Sequence, residues 1–311
     1  DALLHPLVEG NDLGTLAINP AEFSGLYQPN TYASLRPGLV WEDPSSAGDA
    51  SKRVETNRYG MRMGDVSLDK SPGIVRVAVL GDSLPFGWGV PPGQAFPAVL
   101  ETVLNTGGPL KYEVLNFGAP GFTAYHALRQ YENLVHNFQP DILILALGLY
   151  DSLESRLSEK ELVTRLRDDH LLEEPGGFPR FWRDHSAVGT WLHQRRLRAG
   201  REAIAEEIQA RAARGAWVDK VAAGDFVQAV ESILGHHLAR GGRAVLVNTD
   251  LLNSKLTRTF EDLAQRRDLP LLDLRTLFDR LGQFEERRKS FALSLANNAD
   301  YETDGFNHFY A

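Results

Sequence analysis

Residues 75–84 read Val-Arg-Val-Ala-Val-Leu-Gly-Asp-Ser-Leu, and this segment gives the strongest indication of the fold. A run rich in β-branched residues stops at Gly81, and Ser83 follows two positions later. The pattern predicts a buried strand that turns directly into a helix. Because open α/β sheets carry their sites at the carboxyl ends of the strands, Ser83 is a candidate nucleophile whose backbone N–H could face an anion. Asp82 and Ser83 are also common helix caps, so a turn without chemistry is the alternative.

Strands and helices alternate through the rest of the chain. Further strands are predicted at Tyr112–Asn116, Asp141–Leu147, Ala244–Thr249 and Pro270–Leu274, and helices at Thr123–Phe138, Phe226–Arg240 and Thr257–Arg267. This alternation predicts a parallel, doubly wound sheet. The almost wholly apolar strand at 141–147 predicts a sheet that is covered on both faces.

Composition changes divide the chain into three parts. Residues 1–72 are rich in Pro, Gly, Asn and Ser, which predicts a loop-rich N-terminal extension with a few short strands, packed on the core. Residues 73–311 form the α/β domain. Within it, residues 152–225 are charged and rich in arginine, and we interpret them as an insertion of two or three helices over the sheet.

Composition also excludes several classes of function. The net charge of −8 over 311 residues argues against nucleic acid and anionic membranes as partners. The absence of cysteine removes disulfides, thiolate metal sites and cysteine nucleophiles. No apolar run approaches the ~18 residues of an integral membrane span. No His/Asp spacing suggests a metal and no glycine-rich phosphate or dinucleotide loop is present, so no cofactor is expected.

The end of the chain supplies the partners that a serine nucleophile needs. A serine hydroxyl requires a base, and histidine oriented by a carboxylate suits that role near neutral pH. Asp304 and His308 lie in one short segment beyond the fifth predicted strand, and could reach the sheet edge that carries Ser83. Donors for a developing oxyanion are available from the Ser83 N–H, from a glycine N–H in the 118–121 turn, and from the loop at 148–151.

Four segments resemble the sequence blocks of the SGNH (GDSL) hydrolases. Gly81-Asp82-Ser83-Leu84 resembles the first block, Asn116-Phe117-Gly118-Ala119-Pro120-Gly121 the second, Gly148-Leu149-Tyr150-Asp151 the third, and the segment from Asp304 to His308 the fifth. Residues 56–62 are similar to an Asn-x-x-Gly-x-Arg segment that precedes the nucleophile strand in one bacterial subgroup. The resemblance covers about residues 54–151 and 226–311, and it implies a flavodoxin-like three-layer α/β/α fold with a mostly parallel five-stranded sheet.

The resemblance implies a serine esterase that cleaves a small O-acyl ester, such as an O-acetyl group on a carbohydrate, through an acyl-enzyme. It assigns catalysis to Ser83, Asp304 and His308, the oxyanion hole to Ser83, Gly121 and Tyr150, and the substrate side to Phe86, Trp88 and Asp151. An O-acyltransferase that uses the same acyl-enzyme, or a catalytically impaired binding module, are the alternatives. The expected partner is a small-molecule or carbohydrate ester, and the oligomeric state is left open.

Two departures from the family pattern keep alternatives open. Tyr150 stands where the family places an oxyanion Asn; its phenol also donates hydrogen bonds, but it fits a packed aromatic residue equally well. The last block is one residue too long, so either His308 is the base or Asn307 has replaced it and nothing accepts the serine proton.

Three further expectations concern the surroundings of the site and the location of the protein. Phe86 and Trp88 either wall an acyl pocket or fill the core. Asp151 is expected to tie loops together by hydrogen bonds. The frequent export of the family, together with a first residue that is not Met, favours a periplasmic or extracellular location, with a cytoplasmic one as the alternative.

Overall fold

The computed structural model describes residues 35–42, 53–168, 186–251 and 255–282. The strands in these ranges are β1 (Val40–Glu42), β2 (Arg53–Glu55), β3 (Ile74–Gly81), β4 (Lys111–Gly118), β5 (Ile142–Leu147), β6 (Glu154–Ser155), β7 (Val218–Asp219), β8 (Arg243–Asn248) and β9 (Leu271–Asp273). The α-helices are α1 (Ser83–Phe86), α2 (Phe96–Leu104), α3 (Ala124–Asn133), α4 (Glu159–Asp168), α5 (Ala187–Ala213), α6 (Ala223–Leu238), α7 (Thr257–Arg267) and α8 (Leu274–Arg280).

Five strands form one parallel sheet in the order β4-β3-β5-β8-β9. In chain order within the sheet this is 2-1-3-4-5, the flavodoxin-like arrangement, in which the chain reverses its direction across the sheet beside β3. Gly81, the last residue of β3, is in register with Gly118 of β4 and Ala146 of β5. The loops after these three strands therefore meet at one edge, and the predicted fold class is confirmed.

Alternate residues of the strands face two helical layers, as the two-residue period of a strand requires. Ala78 and Leu80 belong to the core shared with α3, α6 and α7. Val77 and Val79 lie on the other face, where residues of α2 pack against them. Helix α8 covers the same face beside β5 and β8. Both faces of the sheet are covered, which explains why its central strands are almost wholly apolar.

The helix predicted over 123–138 is interrupted. Helix α3 ends at Asn133, and a 3₁₀ helix continues over Val135–Phe138. Leu134 lies between them with φ −135° and ψ −57°, outside α-helical geometry. The predicted helices over 226–240 and 257–267 are present as α6 and α7.

Two small hairpins lie outside the central sheet. Strands β1 and β2 pair antiparallel, with Trp41 opposite Val54. Strands β6 and β7 pair antiparallel at the two ends of the charged segment 152–225, which also contains α4 and α5. The β6–β7 pair was not predicted, because strands of two residues are too short to show an alternating pattern. Residues 1–34 lie outside the described ranges, so the domain boundaries stay predictions.

Candidate active site

Ser83 lies where β3 turns into α1. It is the first residue of this four-residue helix, and its side chain is only half-buried although the residues on either side of the turn are mostly buried. Gly81 makes the turn possible, because a Cβ on it would lie 2.0 Å from the Ala146 carbonyl oxygen, at a φ of +157°. The predicted strand-to-helix placement of Ser83 is thus present, at the carboxyl edge of the sheet.

The buried side chain of Asp82 stabilises this turn. Its carboxylate is fully buried and accepts hydrogen bonds from the Leu84 N–H at 2.9 Å and from Thr249 Oγ1 at 3.0 Å. Burial raises the pKa of Asp82 to about 7, although both hydrogen bonds favour the ionised form, and the nearby Asp250 carboxylate adds to the rise. Asp82 therefore organises the turn from a position that solvent does not reach.

Asp151 joins two other loops of the same edge. One carboxylate oxygen accepts from the Ala124 N–H at 2.7 Å, at the start of α3, and the other from the Gly148 N–H at 3.2 Å. Burial raises its pKa to about 7, and the carboxylates of Asp82 and Glu159 contribute to the rise. The residue is 1% exposed. These two hydrogen bonds tie loops together, which is the structural role expected for Asp151. No contact among the described residues supports the other assignment, that Asp151 binds substrate, and it stays a prediction.

The loops predicted to donate to an oxyanion follow β4 and β5. Gly121 lies in the turn between β4 and α3 and adopts a left-handed backbone with φ +75°. Tyr150 lies in the loop after β5 and is 5% exposed. Its ring faces Lys220, whose Nζ lies 5.7 Å from the ring centroid. Neither role in oxyanion binding is tested by these positions, and both stay predictions.

The aromatic residues after Ser83 differ in burial. Phe86 is fully buried, with the guanidinium carbon of Arg62 4.9 Å from its ring centroid. Trp88 is half-buried and lies between two rings, 6.0 Å from Phe86 and 6.1 Å from Trp41 by centroids. Of the two alternatives for Phe86, its burial favours core filling over a pocket wall.

Arg62, the last residue of the Asn-x-x-Gly-x-Arg segment, binds the far end of the nucleophile helix. Its guanidinium donates to the carbonyls of Phe86, Gly87 and Val90, and to that of Arg53 in β2. Burial lowers its pKa to about 10. The motif was recognised in the sequence, but the contacts of Arg62 were not predicted. They join the β1–β2 hairpin to the end of the helix that begins at Ser83.

Three buried polar residues near the site were not predicted. His126 is fully buried, its Nδ1 lies 2.9 Å from Thr123 Oγ1, and burial holds its pKa well below the usual range. Lys220 and Glu159 are each 2% exposed and form an ion pair of 3.7 Å beside Tyr150. A Thr-x-x-His capping pattern was a possible signal for His126, whereas Lys220 and Glu159 resemble ordinary surface charges in the sequence.

The remaining predicted residues, Asp304, Asn307 and His308, lie outside the described residues. Within the described part of the chain, no cluster of His, Asp or Glu is suited to a metal ion. None of the described helices combines the length and apolarity that crossing a membrane requires.

The fold and the turn define an α/β protein with a serine at the carboxyl edge of a flavodoxin-like sheet. The sequence profile described as the GDSL-like lipase/acylhydrolase family matches residues 79–293, more than half of the chain. The chain belongs to this family, and it is a carboxylic ester hydrolase. The matched range ends before Asp304 and His308.

Solved structures with similarity to this chain include several esterases. The SGNH-hydrolase family esterase AlinE4 is 18% identical, with a TM-score of 0.40 over 74% of this chain and 96% of that one. TesA is 16% identical, with a TM-score of 0.37 over 63% and 76% of the two chains. The esterase EstA from Pseudoalteromonas sp., inhibited by monoethylphosphonate, is 13% identical, with a TM-score of 0.38 over 65% and 79%. No curated protein matches this sequence.

Proposed function

We propose that this protein is a serine esterase that cleaves a small O-acyl ester, such as an O-acetyl group on a carbohydrate, through an acyl-enzyme on Ser83. The observation that supports it best is the position of Ser83, which is half-buried at the first residue of α1, where the loops after β3, β4 and β5 meet. Around it, Asp82 and Asp151 are buried and hydrogen-bonded. This arrangement leaves the serine hydroxyl as the reactive group of a rigid turn.

In the proposed reaction, Ser83 Oγ forms a bond to the acyl carbon while its proton passes to His308. The resulting tetrahedral intermediate expels the alcohol, which takes the proton from His308 as its bond to the acyl carbon breaks. Water then adds to the acyl carbon and gives a proton to His308. The bond from the acyl carbon to Ser83 Oγ breaks, His308 returns the proton to Oγ, and the carboxylic acid leaves. Asp304 orients the imidazole and stabilises its charged form.

The negative oxygen of each intermediate needs hydrogen-bond donors. We assign the N–H groups of Ser83 and Gly121, and the phenol of Tyr150 in place of the family's amide. Loss of one such donor typically lowers kcat by about 10²–10³-fold. Phe86, the last residue of α1, contributes to the packing of this helix on the core. We assign Trp88 to the acyl side of the cleft.

The first experiment compares wild type with Ser83→Ala in hydrolysis of p-nitrophenyl acetate and in labelling by a fluorophosphonate probe. We expect Ser83→Ala to lower kcat by about 10⁴-fold or more and to abolish labelling. Ser71→Ala, which removes an exposed serine hydroxyl, is the matched control and keeps both activities. Equal rates for wild type and Ser83→Ala would end the proposal.

A second experiment decides between the two candidates for the base. His308→Ala is expected to abolish turnover, and Asn307→Ala to change it less than tenfold. Turnover that His308→Ala leaves unchanged would remove His308 as the base, whereas a wild type that neither turns over nor labels would support a catalytically impaired module that only binds acylated polymers. Transfer of the acetyl group to added sugar alcohols faster than to water would identify an O-acyltransferase with the same acyl-enzyme.

A further inference from the structure

The segment 152–225 returns to the core through Lys220. The Lys220 N–H donates to the Leu153 carbonyl at 2.8 Å, and the Lys220 carbonyl accepts from the Glu159 N–H at 2.7 Å. The next residue, Val221, donates its N–H to the Asp151 carbonyl at 3.3 Å. The backbone of Lys220 is therefore attached both to the loop that carries Tyr150 and to the start of α4.

The side chain of Lys220 is buried in a way that a lysine rarely is. It is 2% exposed, and its Nζ lies 3.7 Å from Glu159 Oε1, beyond hydrogen-bond distance. No described residue accepts a hydrogen bond from Nζ. A buried ammonium without hydrogen bonds is destabilising, so a purely structural role would be filled better by an apolar side chain.

Within the candidate site, the ring of Tyr150 faces this ammonium. The distance of 5.7 Å from Nζ to the ring centroid lies within the range of a cation–π contact. His126 also lies close enough to feel the charge, which contributes to its low pKa after burial. Lys220 thus places a fixed positive charge behind the loop that follows β5, and Glu159 holds that charge in place.

We propose that Lys220 is a positioning residue for Tyr150, which holds the aromatic ring and strengthens its phenol as a donor to the oxyanion. The proposal rests on the proposed function, since it assumes that Tyr150 serves the acyl transfer at Ser83. The proposal explains how Tyr150 could donate to the oxyanion at a position where the family carries Asn. Lys220, from the segment 152–225, supplies a positive charge that strengthens a phenol as a donor, and an Asn amide would not require it. A charge near the phenol acts most when the negative oxygen forms, so its effect falls on kcat more than on KM.

The test is a double-mutant cycle between Lys220 and Tyr150, with kcat and KM measured on p-nitrophenyl acetate. We expect Lys220→Met to lower kcat about tenfold with little change in KM, and Lys220→Arg to recover most of the loss. In a Tyr150→Phe background, Lys220→Met should lower kcat less than twofold. Lys220→Gln, which keeps a neutral polar side chain, repeats the measurement if Lys220→Met does not fold. Lys255→Met is the matched control. Lys255 is an exposed lysine that pairs with Glu154 and Asp219 of the β6–β7 hairpin, which Lys220 directly follows.

Two results would overturn the proposal. An equal loss in the wild-type and Tyr150→Phe backgrounds would show that Lys220 only supports the fold, and an unchanged kcat in Lys220→Met and Lys220→Gln would show no role. Fluorophosphonate labelling separates these failures from failure of the proposed function. If Ser83 labels normally and the coupling is absent, only the role of Lys220 is lost, whereas an unlabelled wild type removes both.

Discussion

The hydroxyl of Thr249 donates a hydrogen bond to Asp82 Oδ2 at 3.0 Å, beneath the turn that carries Ser83. Thr249 Oγ1 in turn accepts a hydrogen bond from the Leu149 N–H at 3.2 Å. One buried hydroxyl therefore joins the loops after β3, β5 and β8 at the carboxyl edge of the sheet. Because Asp151 links the loop after β5 to α3, the four loops around Ser83 form one hydrogen-bonded unit.

Replacement of Thr249 by Val is expected to lower the free energy of unfolding by about 1–3 kcal/mol, because it removes the hydroxyl that donates to Asp82 Oδ2 and accepts from the Leu149 N–H. It should also lower kcat, since Asp82 positions the nucleophile turn. Thr249→Ser keeps the hydroxyl and should lose about 1 kcal/mol or less. Urea unfolding of the three proteins measures the difference, and an equal loss in both variants would show that the methyl group, rather than the hydrogen bonds, is what matters.

Stability should depend on pH through Asp82. Because the folded state raises the pKa of this carboxyl from 3.8 to about 7, the folded protein holds a proton that the unfolded chain releases near pH 4. The contribution is complete at acid pH and is lost as the pH rises towards 7, so the free energy of unfolding falls over this interval. Asp82→Asn does not titrate. We therefore expect its stability relative to wild type to increase from pH 5 to pH 8, on the order of a few kcal/mol.

The measurement is urea unfolding at several pH values between 5 and 8, with Asp69→Asn, the change of an exposed carboxyl, as the matched control. A difference between Asp82→Asn and wild type that stays constant with pH would contradict the prediction. Asp151→Asn provides a second check, because burial raises the pKa of Asp151 to about 7 as well.

The contacts of Arg62 predict a loss of both stability and activity on its removal. Arg62→Ala leaves four carbonyls without their donor, and we expect a loss of about 2–4 kcal/mol together with a lower kcat, because the end of α1 is released. Arg62→Lys should recover only part of the loss, since an ammonium cannot reproduce the fork of a guanidinium.

Arg58→Ala is the matched control for this experiment. Arg58 belongs to the same motif but is exposed, and it donates to the Val66 carbonyl at 3.0 Å. Thermal unfolding measures the stability of Arg62→Ala, Arg62→Lys and Arg58→Ala, and esterase assays measure their kcat. Equal losses in the Arg58 and Arg62 variants would mean that the motif supports the fold generally, without a specific role for the contact with α1.

Gly81 should accept no side chain. Gly81→Ala would place a Cβ 2.0 Å from the Ala146 carbonyl oxygen, a backbone atom of the neighbouring strand that cannot move away, so we expect a loss of more than about 4 kcal/mol. Gly93→Ala is the control, because a Cβ at Gly93 meets nothing within 4 Å. Circular dichroism and soluble yield report the difference. A stable, soluble Gly81→Ala protein would show that β3 and β5 do not approach as closely as described.

The turn that carries Ser83 could be predicted because its parts are local, whereas the roles of Asp304 and His308 stay predictions. The apolar run that ends at Gly81 predicts a strand, and the residues that follow it predict where Ser83 projects. The block at 116–121 begins in the last residues of β4, and the block at 148–151 follows β5, so the parallel sheet brings both to the same edge. The burial of Asp82 and Asp151 and the resulting rise of their pKa values were not predicted, because they depend on loops from distant parts of the chain.

The sequence alone predicted the five central strands, the helices α3, α6 and α7, the parallel sheet and the turn that presents Ser83, because short-range periodicity and the apolarity of each strand are enough for these. It did not predict helices α2 and α8, which cover one face of the sheet. Only the tertiary structure decided which charged residues became part of the interior. Three charged residues of types usually found at the surface are buried here, because segments far apart in the chain close over them: Arg62, Lys220 and Glu159. Burial is a property of the packed molecule, so no local pattern could have distinguished these three from the exposed charges beside them.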